Sequence, residues 1–479
     1  MPLIDALILM LFNSFEFIFV FLPIVLLAYF SLNRLNLHQW AKGVLVLASL
    51  YFYAFFNTSY LPIIVSSILV NYGVAVGMRK WDGVTKKVLF GIGLLFNLGM
   101  LGYFKYTDFM IENVNALFNT SYTLKNILLP LGISFFTFQQ LAFVVDTYKN
   151  KGRLPKFLDY CNFVTFFPQL IAGPIVLPEE MLPQFEDKAN RNPRAKNLFD
   201  GIFIFSVGLA KKVIIADSIA VFANAGYNLD LPHYTMAEAW LISLSYTFQL
   251  YFDFSGYCDM AIGIGKMFNI NLPLNFNAPY RATNFQDFWR RWHITLNRFL
   301  TQYVYIPLGG SRRKEVRVYF NIGIVFLISG IWHGAGWTFV VWGICHGIGV
   351  MIHRIWKKKG YSMPSWLGMF ITFFFINILW VLFRADNIHE AWVIISSMFD
   401  NHQLYLSPAY TSHLPSILPN TVNMMILFFA MLAGVIGPTA YQLCNDYGWY
   451  RAKQAVTVIC FVGGVLFISR VVTFLYFNF

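Results

Sequence analysis

Two histidines lie in strongly apolar, aromatic-rich stretches of this 479-residue chain. His333 falls in Trp332–His333–Gly334, between IGIVFLIS and TFVVWGI, and His293 lies in FWRRWHITL. An ionisable ring held at membrane depth is costly and marks a functional site by default. Imidazole, with an ordinary pKa of about 6.5, is the usual general base near neutral pH. A setting among Trp332, Trp337 and Trp342 suits a neutral, proton-accepting ring, and Gly334 and Gly336 let backbone or ligand approach it. The simpler alternatives for His333 are a hydrogen bond to a carbonyl freed near those glycines, or the cap of a broken helix.

Thr283-x-x-Gln286 resembles a capping box and predicts a helix starting near Asn284. On that helix Trp289, Trp292 and Leu296 share one face, His293 follows Trp289 by one turn, and Arg290 and Arg291 point elsewhere. The same pattern suits an interfacial helix with an aromatic belt and snorkelling arginines. Asp253 and Asp259 sit with Gln249 in a membrane-like segment. Ion pairs with Arg281, Arg290 or Arg291 are expected of them ahead of acid–base chemistry. His346 and His353 share a helical face that the run from His333 turns to another side. There is no H-E-x-x-H pattern or ligand-spaced cluster to suggest a metal. Adjacent Cys345 and His346 face apart on a helix and make no dyad.

These residues need a membrane protein to position them. Hydrophobic residues make up 57% of the chain and charged residues 12%, against soluble averages of roughly a half and a quarter. The apolar residues form blocks of bilayer-spanning length, about 20 residues each. Spans are predicted near 6–32, 41–56, 60–78, 87–105, 127–147, 198–224, 237–265, 318–352 (as one span or two short helices), 366–383, 422–443 and 455–477. Segments 161–177 and 298–308 fit re-entrant or broken helices. The expected fold is all-α and polytopic, with about 11–13 transmembrane or re-entrant helices around a central tunnel. One integrated domain over 1–479 is expected: peripheral helices to about 125, a core over about 126–385, then C-terminal helices.

Charge suggests an orientation. Arg34 and Lys42, then Arg79, Lys80, Lys86 and Lys87, then Lys149, Lys151, Arg153 and Lys156 follow alternate spans, whereas Asn57–Tyr60 carries no basic residue. The positive-inside rule puts the basic loops in the cytoplasm and the N-terminus outside. The net charge of +12 is accounted for by such loops and anionic headgroups, with no nucleic acid required. No basic n-region or small-residue cleavage site marks a signal peptide, so the first span is expected to be retained. Cysteines 161, 258, 345, 444 and 460 lack paired spacing and read as buried thiols. Pro178–Asn197 reads as a cytoplasmic connection, and Asn387–Asn420, with His389, His402 and His413, as an extracytoplasmic loop. The stretch 246–317 mixes aromatics, prolines and charges. Its irregular backbone cannot face lipid, so it must be enclosed by helices or line a wet cavity.

Several motifs together resemble the membrane-bound O-acyltransferase superfamily, in particular its bacterial alginate O-acetyltransferase subunit I and teichoic-acid D-alanyl transfer branch. They are LPLGISFFTFQ, FFPQLIAGPI, GLAKKVIIAD, YTFQLYFDFSGYCDMAIGIGKMF, FWRRWHITLNRFLTQYVYIPLGGSR, WHGAGWTFVVWGICHG, LFRA and the terminal FLYFNF. The resemblance implies His293 and His333 as the signature histidines, the second being the main catalytic residue. Asp253, Trp289, Arg290, Trp332, Asn297 and Tyr303 become candidate tunnel or supporting residues. It implies acetyl-CoA as a cytoplasmic donor substrate, with no permanently bound cofactor. It also implies an extracytoplasmic acetyltransferase or esterase-like partner, and an exported or cell-wall polysaccharide such as alginate or peptidoglycan as acceptor. The expected location is the bacterial inner membrane. The chain departs from the family pattern at Asn297 and Thr301–Gln302, where relatives often carry Ser and Arg–Asp. A transporter or channel is the rival reading from another class, against which no inverted repeat is visible; D-alanyl transfer is the rival within the family.

Overall fold

The computed structural model describes residues 10–229, 231–400, 403–414, 420–445, 450–468 and 475. His402, Pro415, Pro419 and all of the FLYFNF match except Leu475 lie outside them. Among the described residues all regular structure is helical. Six helices there are long and apolar enough to cross a membrane: Glu16–Arg34, Thr58–Lys80, Gly83–Phe118, Glu315–His333, Trp337–Lys358 and Ser365–Arg384. The chain is an all-α polytopic membrane protein.

Other predicted spans have different roles. The 127–147 block contains a helix of only 16 residues, Ile133–Tyr148, buried on nearly every side. A helix buried on nearly every side, with Gln139, Gln140 and Asp146 among its buried residues, belongs inside a protein. The 237–265 block is Met236–Met267. Its start is a true capping box, with Thr235 Oγ1 accepting from the Glu238 backbone and Glu238 accepting from Thr235 N–H. Residues 161–177 form the short helices Phe157–Thr165 and Phe167–Leu170 and a buried loop, broken as predicted.

The chain folds into two compact units. The first comprises Met1–Val207, Tyr257–Pro273 and Trp449–Ile468. Its core includes the interlocking rings of Phe12, Phe17, Phe52 and Phe167. Between its helices Asn71 and Asn97 exchange amide hydrogen bonds of 3.2 and 2.6 Å. Tyr160 donates to Gln140, which donates to Ser67. Helices in lipid gain nothing from sequestering apolar surface against one another, so such polar contacts help fix their pairing.

The second unit comprises Gly208–Gly256, Leu274–Gly448 and Ser469–Phe479, and it contains both histidines. The 318–352 block is a hairpin of two helices, Glu315–His333 and Trp337–Lys358, broken at Gly334–Gly336. The helices cross at two glycines. A Cβ on Gly330 would lie 2.4 Å from the Phe339 carbonyl oxygen, and one on Gly343 2.5 Å from that of Phe326. Without side chains there, the backbones approach closely. The Ser365–Arg384 helix is tied to Met236–Met267 through Asn377, which accepts from Thr247 at 2.7 Å and donates to Ser243 at 3.1 Å.

Candidate active site

His333 is the last residue of its helix, beyond which Gly334 is extended. The chain turns out of helical geometry at this point, and the ring folds back along its own helix: His333 Nδ1 lies 2.6 Å from the Ser329 carbonyl oxygen. A carbonyl can only accept, so Nδ1 carries the proton and Nε2 keeps the lone pair. The bland expectation of a carbonyl partner and the catalytic one are therefore compatible, since the bond selects the tautomer a base requires. The ring is 1% exposed and packs against Trp332, Trp342 and Phe383, with centroids 4.9, 4.8 and 5.4 Å away. Trp337, expected among these walls, is 57% exposed instead, because it begins the next helix beyond the break. Gly334 serves packing rather than ligand approach: a Cβ there would sit 2.1 Å from the Phe339 ring.

His293 is positioned by a break that the sequence pattern conceals. The predicted helix starts on time, with Asn284 as its cap accepting from Asp287 N–H, in place of the Thr283–Gln286 box. It ends at Arg291, and Trp292 is extended. His293 adopts left-handed geometry (φ 45°) before a second helix, Ile294–Leu300. Trp289, Trp292 and Leu296 therefore do not share one continuous face. A left-handed non-glycine residue is strained unless its surroundings hold it. Asn275 does so: its backbone carbonyl accepts from Ile294 N–H at 3.0 Å, and its Oδ1 accepts from Thr295 N–H and Thr295 Oγ1–H. The Thr295 N–H identifies that atom as oxygen, so His293 Nδ1, 3.1 Å away, donates to it. The His293 lone pair, too, is on Nε2. The two ring centroids are 6.4 Å apart, and Phe254 and Trp332 flank His293 at 5.0 and 5.9 Å.

The same unit holds a cavity of about 330 Å³. Trp289, Arg290, Asn297, Thr301, Tyr305 and Arg354 line it. A π-helical turn, Thr301–Tyr305, continues from Ile294–Leu300 and supplies two of these residues; such turns recur at functional sites. Three sequence candidates, Trp289, Arg290 and Asn297, thus meet at one surface. Tyr303 packs on Phe299 at 4.8 Å, and Tyr305 lines the cavity. Trp289 packs against Trp342 at 5.8 Å, and Trp342 against His333.

Asp253 pairs differently from expectation. Its partner is Lys212, 2.7 Å away, which also binds Asp217 at 2.7 Å. Arg281 instead donates to the Val435 and Gly437 carbonyls, and Arg291 pairs with Asp287 four residues back. The arginines are close in sequence but are drawn to nearer acceptors. Asp253 also accepts from Leu475 N–H and so acts as a structural anchor. Nothing in its pattern singled out Asn275. Phe383 was visible only as part of LFRA, and Lys212 only as part of GLAKKVIIAD.

Two buried imidazoles, each held with a lone pair on Nε2 inside a multi-pass helical protein, form a buried centre suited to proton abstraction from a hydroxyl. Residues 145–389, which include both, match the model of MBOAT, the membrane-bound O-acyltransferase family. The chain belongs to this family and is an O-acyltransferase. It is 45% identical to a peptidoglycan O-acetyltransferase of Helicobacter pylori, over 98% of both proteins. It is 36% identical to a probable alginate O-acetylase of Pseudomonas aeruginosa, over 88% of this chain and 81% of that one. With a teichoic acid D-alanyltransferase of Bacillus subtilis it shares 29% identity, over 55% of this chain and 71% of the relative.

Proposed function

We propose that this protein transfers acetyl groups from cytoplasmic acetyl-CoA for O-acetylation of a cell-wall polysaccharide, with peptidoglycan as the acceptor. The observation that carries the chemistry is the His333 Nδ1 bond to the Ser329 carbonyl. With that proton held, Nε2 removes the proton of an acceptor hydroxyl as its oxygen bonds to the thioester carbon. The carbon–sulfur bond then breaks, and the leaving thiolate takes the proton from the imidazolium. His293 orients the acceptor or stabilises charge on the oxygen. Its Nδ1–H tautomer supports the first role, because a neutral ring of this kind offers Nε2 as an acceptor for a neighbouring donor on the sugar.

The donor side is inferred from charge. Arg312, Arg313, Lys314 and Arg317 at one helix of the hairpin, and Lys357, Lys358 and Lys359 at the other, share the end near the cavity. Glu315 joins those helices by pairing with Arg354 and Lys358. The positive-inside rule makes this the cytoplasmic end, consistent with an N-terminus outside a bacterial cytoplasmic membrane. Arg290 and Arg354 at the cavity suit the phosphates of a coenzyme A thioester. An extracytoplasmic partner that hands the acetyl group to the glycan completes the proposal. Peptidoglycan is favoured over alginate, and acetyl over D-alanyl, by the extent and identity of the similarity to the Helicobacter protein.

The test is base-released acetate from purified peptidoglycan of a strain depending on this gene, with wild type and His333→Ala compared at equal membrane levels. Acetate should vanish in the variant. Acetylation persisting in a correctly inserted His333→Ala protein would overturn the assignment of His333.

A further inference from the structure

A third imidazole lies in the same aromatic cluster, and the two-histidine chemistry does not use it. The sequence pattern turned His346 away from His333 because it assumed a continuous helix. The break at Gly334–Gly336 removes that premise. His346 is fully buried, with its ring 4.6 Å from that of Trp342, which also packs on His333 at 4.8 Å. Trp289 Nε1–H donates to His346 Nδ1 at 3.2 Å. An indole N–H can only donate, so Nδ1 is the unprotonated nitrogen and the neutral ring carries its proton on Nε2. This is the opposite tautomer from His293 and His333. Among the described residues no protein acceptor reaches Nε2. Burying such a donor is unfavourable, so packing alone would favour an apolar side chain here. What the imidazole adds is an acceptor for Trp289.

Trp289 needs one. Its ring meets Phe326 and Trp342 edge-on, at 5.3 and 5.8 Å, and such contacts tolerate sliding and tilting of the indole. The hydrogen bond is directional. It fixes the residue that both lines the cavity and packs on the tryptophan touching His333. The Trp289 carbonyl also accepts from the Asn297 side chain at 3.0 Å, a second cavity residue. We propose that His346 is a positioning residue for acyl transfer, holding the Trp289 indole as the wall between the cavity and the histidine pair so that the acyl group meets His333 in line. Small misplacements of reacting groups cost large factors in rate. The proposal rests on the acyl-transfer reading above.

The experiment compares His346→Ala, His346→Asn, Trp289→Phe and the double variant His346→Ala/Trp289→Phe with wild type and His333→Ala in cells. Peptidoglycan O-acetyl content over time is normalised to folded protein, quantified by detergent size-exclusion chromatography. This readout requires no assumption about the donor. His346→Ala and Trp289→Phe are each expected to slow acetylation about ten-fold. The double variant should be no slower than the worse single one, because both remove the same bond. His346→Asn, whose amide oxygen sits near the position of Nδ1, should recover most of the rate. Multiplied losses in the double variant, or an asparagine variant no better than alanine, overturn the positioning role. So does a normal rate in His346→Ala. Absence of O-acetyl groups even in wild type overturns the acetyl-transfer reading and this inference with it.

Discussion

His293 and His333 lie with ring centroids 6.4 Å apart, and each is locked into the same tautomer by an oxygen from a different part of the chain. For His333 the oxygen is the Ser329 carbonyl four residues back; for His293 it is the Asn275 side chain, eighteen residues upstream. Two neutral rings with lone pairs on Nε2 can abstract one proton and accept one hydrogen bond without first exchanging tautomers. Preorganisation of this kind lowers the barrier because no rearrangement is needed during the reaction.

The first prediction concerns His333. Replacing it with alanine removes the base and should reduce acetyl transfer by a factor on the order of 10²–10⁴. The protein should still insert and fold, since the ring is a terminal residue of its helix. Initial rates of coenzyme A release from acetyl-CoA by purified protein with acceptor provide the measurement.

Asn275→Leu should impair both stability and turnover. It removes the acceptor of His293 Nδ1–H, Thr295 N–H and Thr295 Oγ1–H. Stranding buried donors costs about 1–3 kcal/mol each at most. We expect a lower unfolding temperature in detergent and at least a ten-fold loss of rate per folded molecule. A variant with a wild-type rate would mean that the tautomer of His293 is irrelevant.

Lys212→Met should be severe. Lys212 and its two carboxylate partners have side chains no more than 5% exposed. Removing one member of a buried ionic group typically costs about 3–5 kcal/mol because the remaining charge is uncompensated. The double change Lys212→Met/Asp253→Asn relieves part of that charge and should unfold at a higher temperature than Lys212→Met alone. The reverse order would remove the ionic group from the account of stability.

Gly343→Ala tests the hairpin. Its Cβ would fall 2.5 Å from the Phe326 oxygen and 3.0 Å from Gly330 Cα, forcing apart the helices that carry His333 and Trp342. Overpacking of this kind costs about 1–3 kcal/mol. Gly73→Ala is the control: nothing lies within 4 Å of a Cβ there. Improved helix propensity should leave it neutral or stabilised by up to about 1 kcal/mol. Thermal unfolding of the two variants should separate them clearly.

What the sequence determined by itself was the membrane class and the placement of two histidines in apolar runs, while it offered a broken helix within 318–352 as one of two readings. Each of these signals is local. Span length follows from bilayer thickness, glycines permit a break, and an ionisable ring in an apolar run is visible without knowing its neighbours. Their opposite limit shows at His293. An unbroken apolar period runs through Trp289, Trp292 and Leu296, yet the chain leaves the helix there because Asn275 offers the backbone and ring of a distant segment better partners.

Tertiary structure alone decided which partners each polar group found. Asp253 chose Lys212 over three nearby arginines, His346 joined the cluster through Trp289, and Phe383 came to wall His333. Periodicity reports which face of an element is apolar but not what that face meets. Hydrogen bonds and ion pairs act over a few ångströms, so the side chains that set tautomer and charge are selected by the packing of helices far apart in the chain.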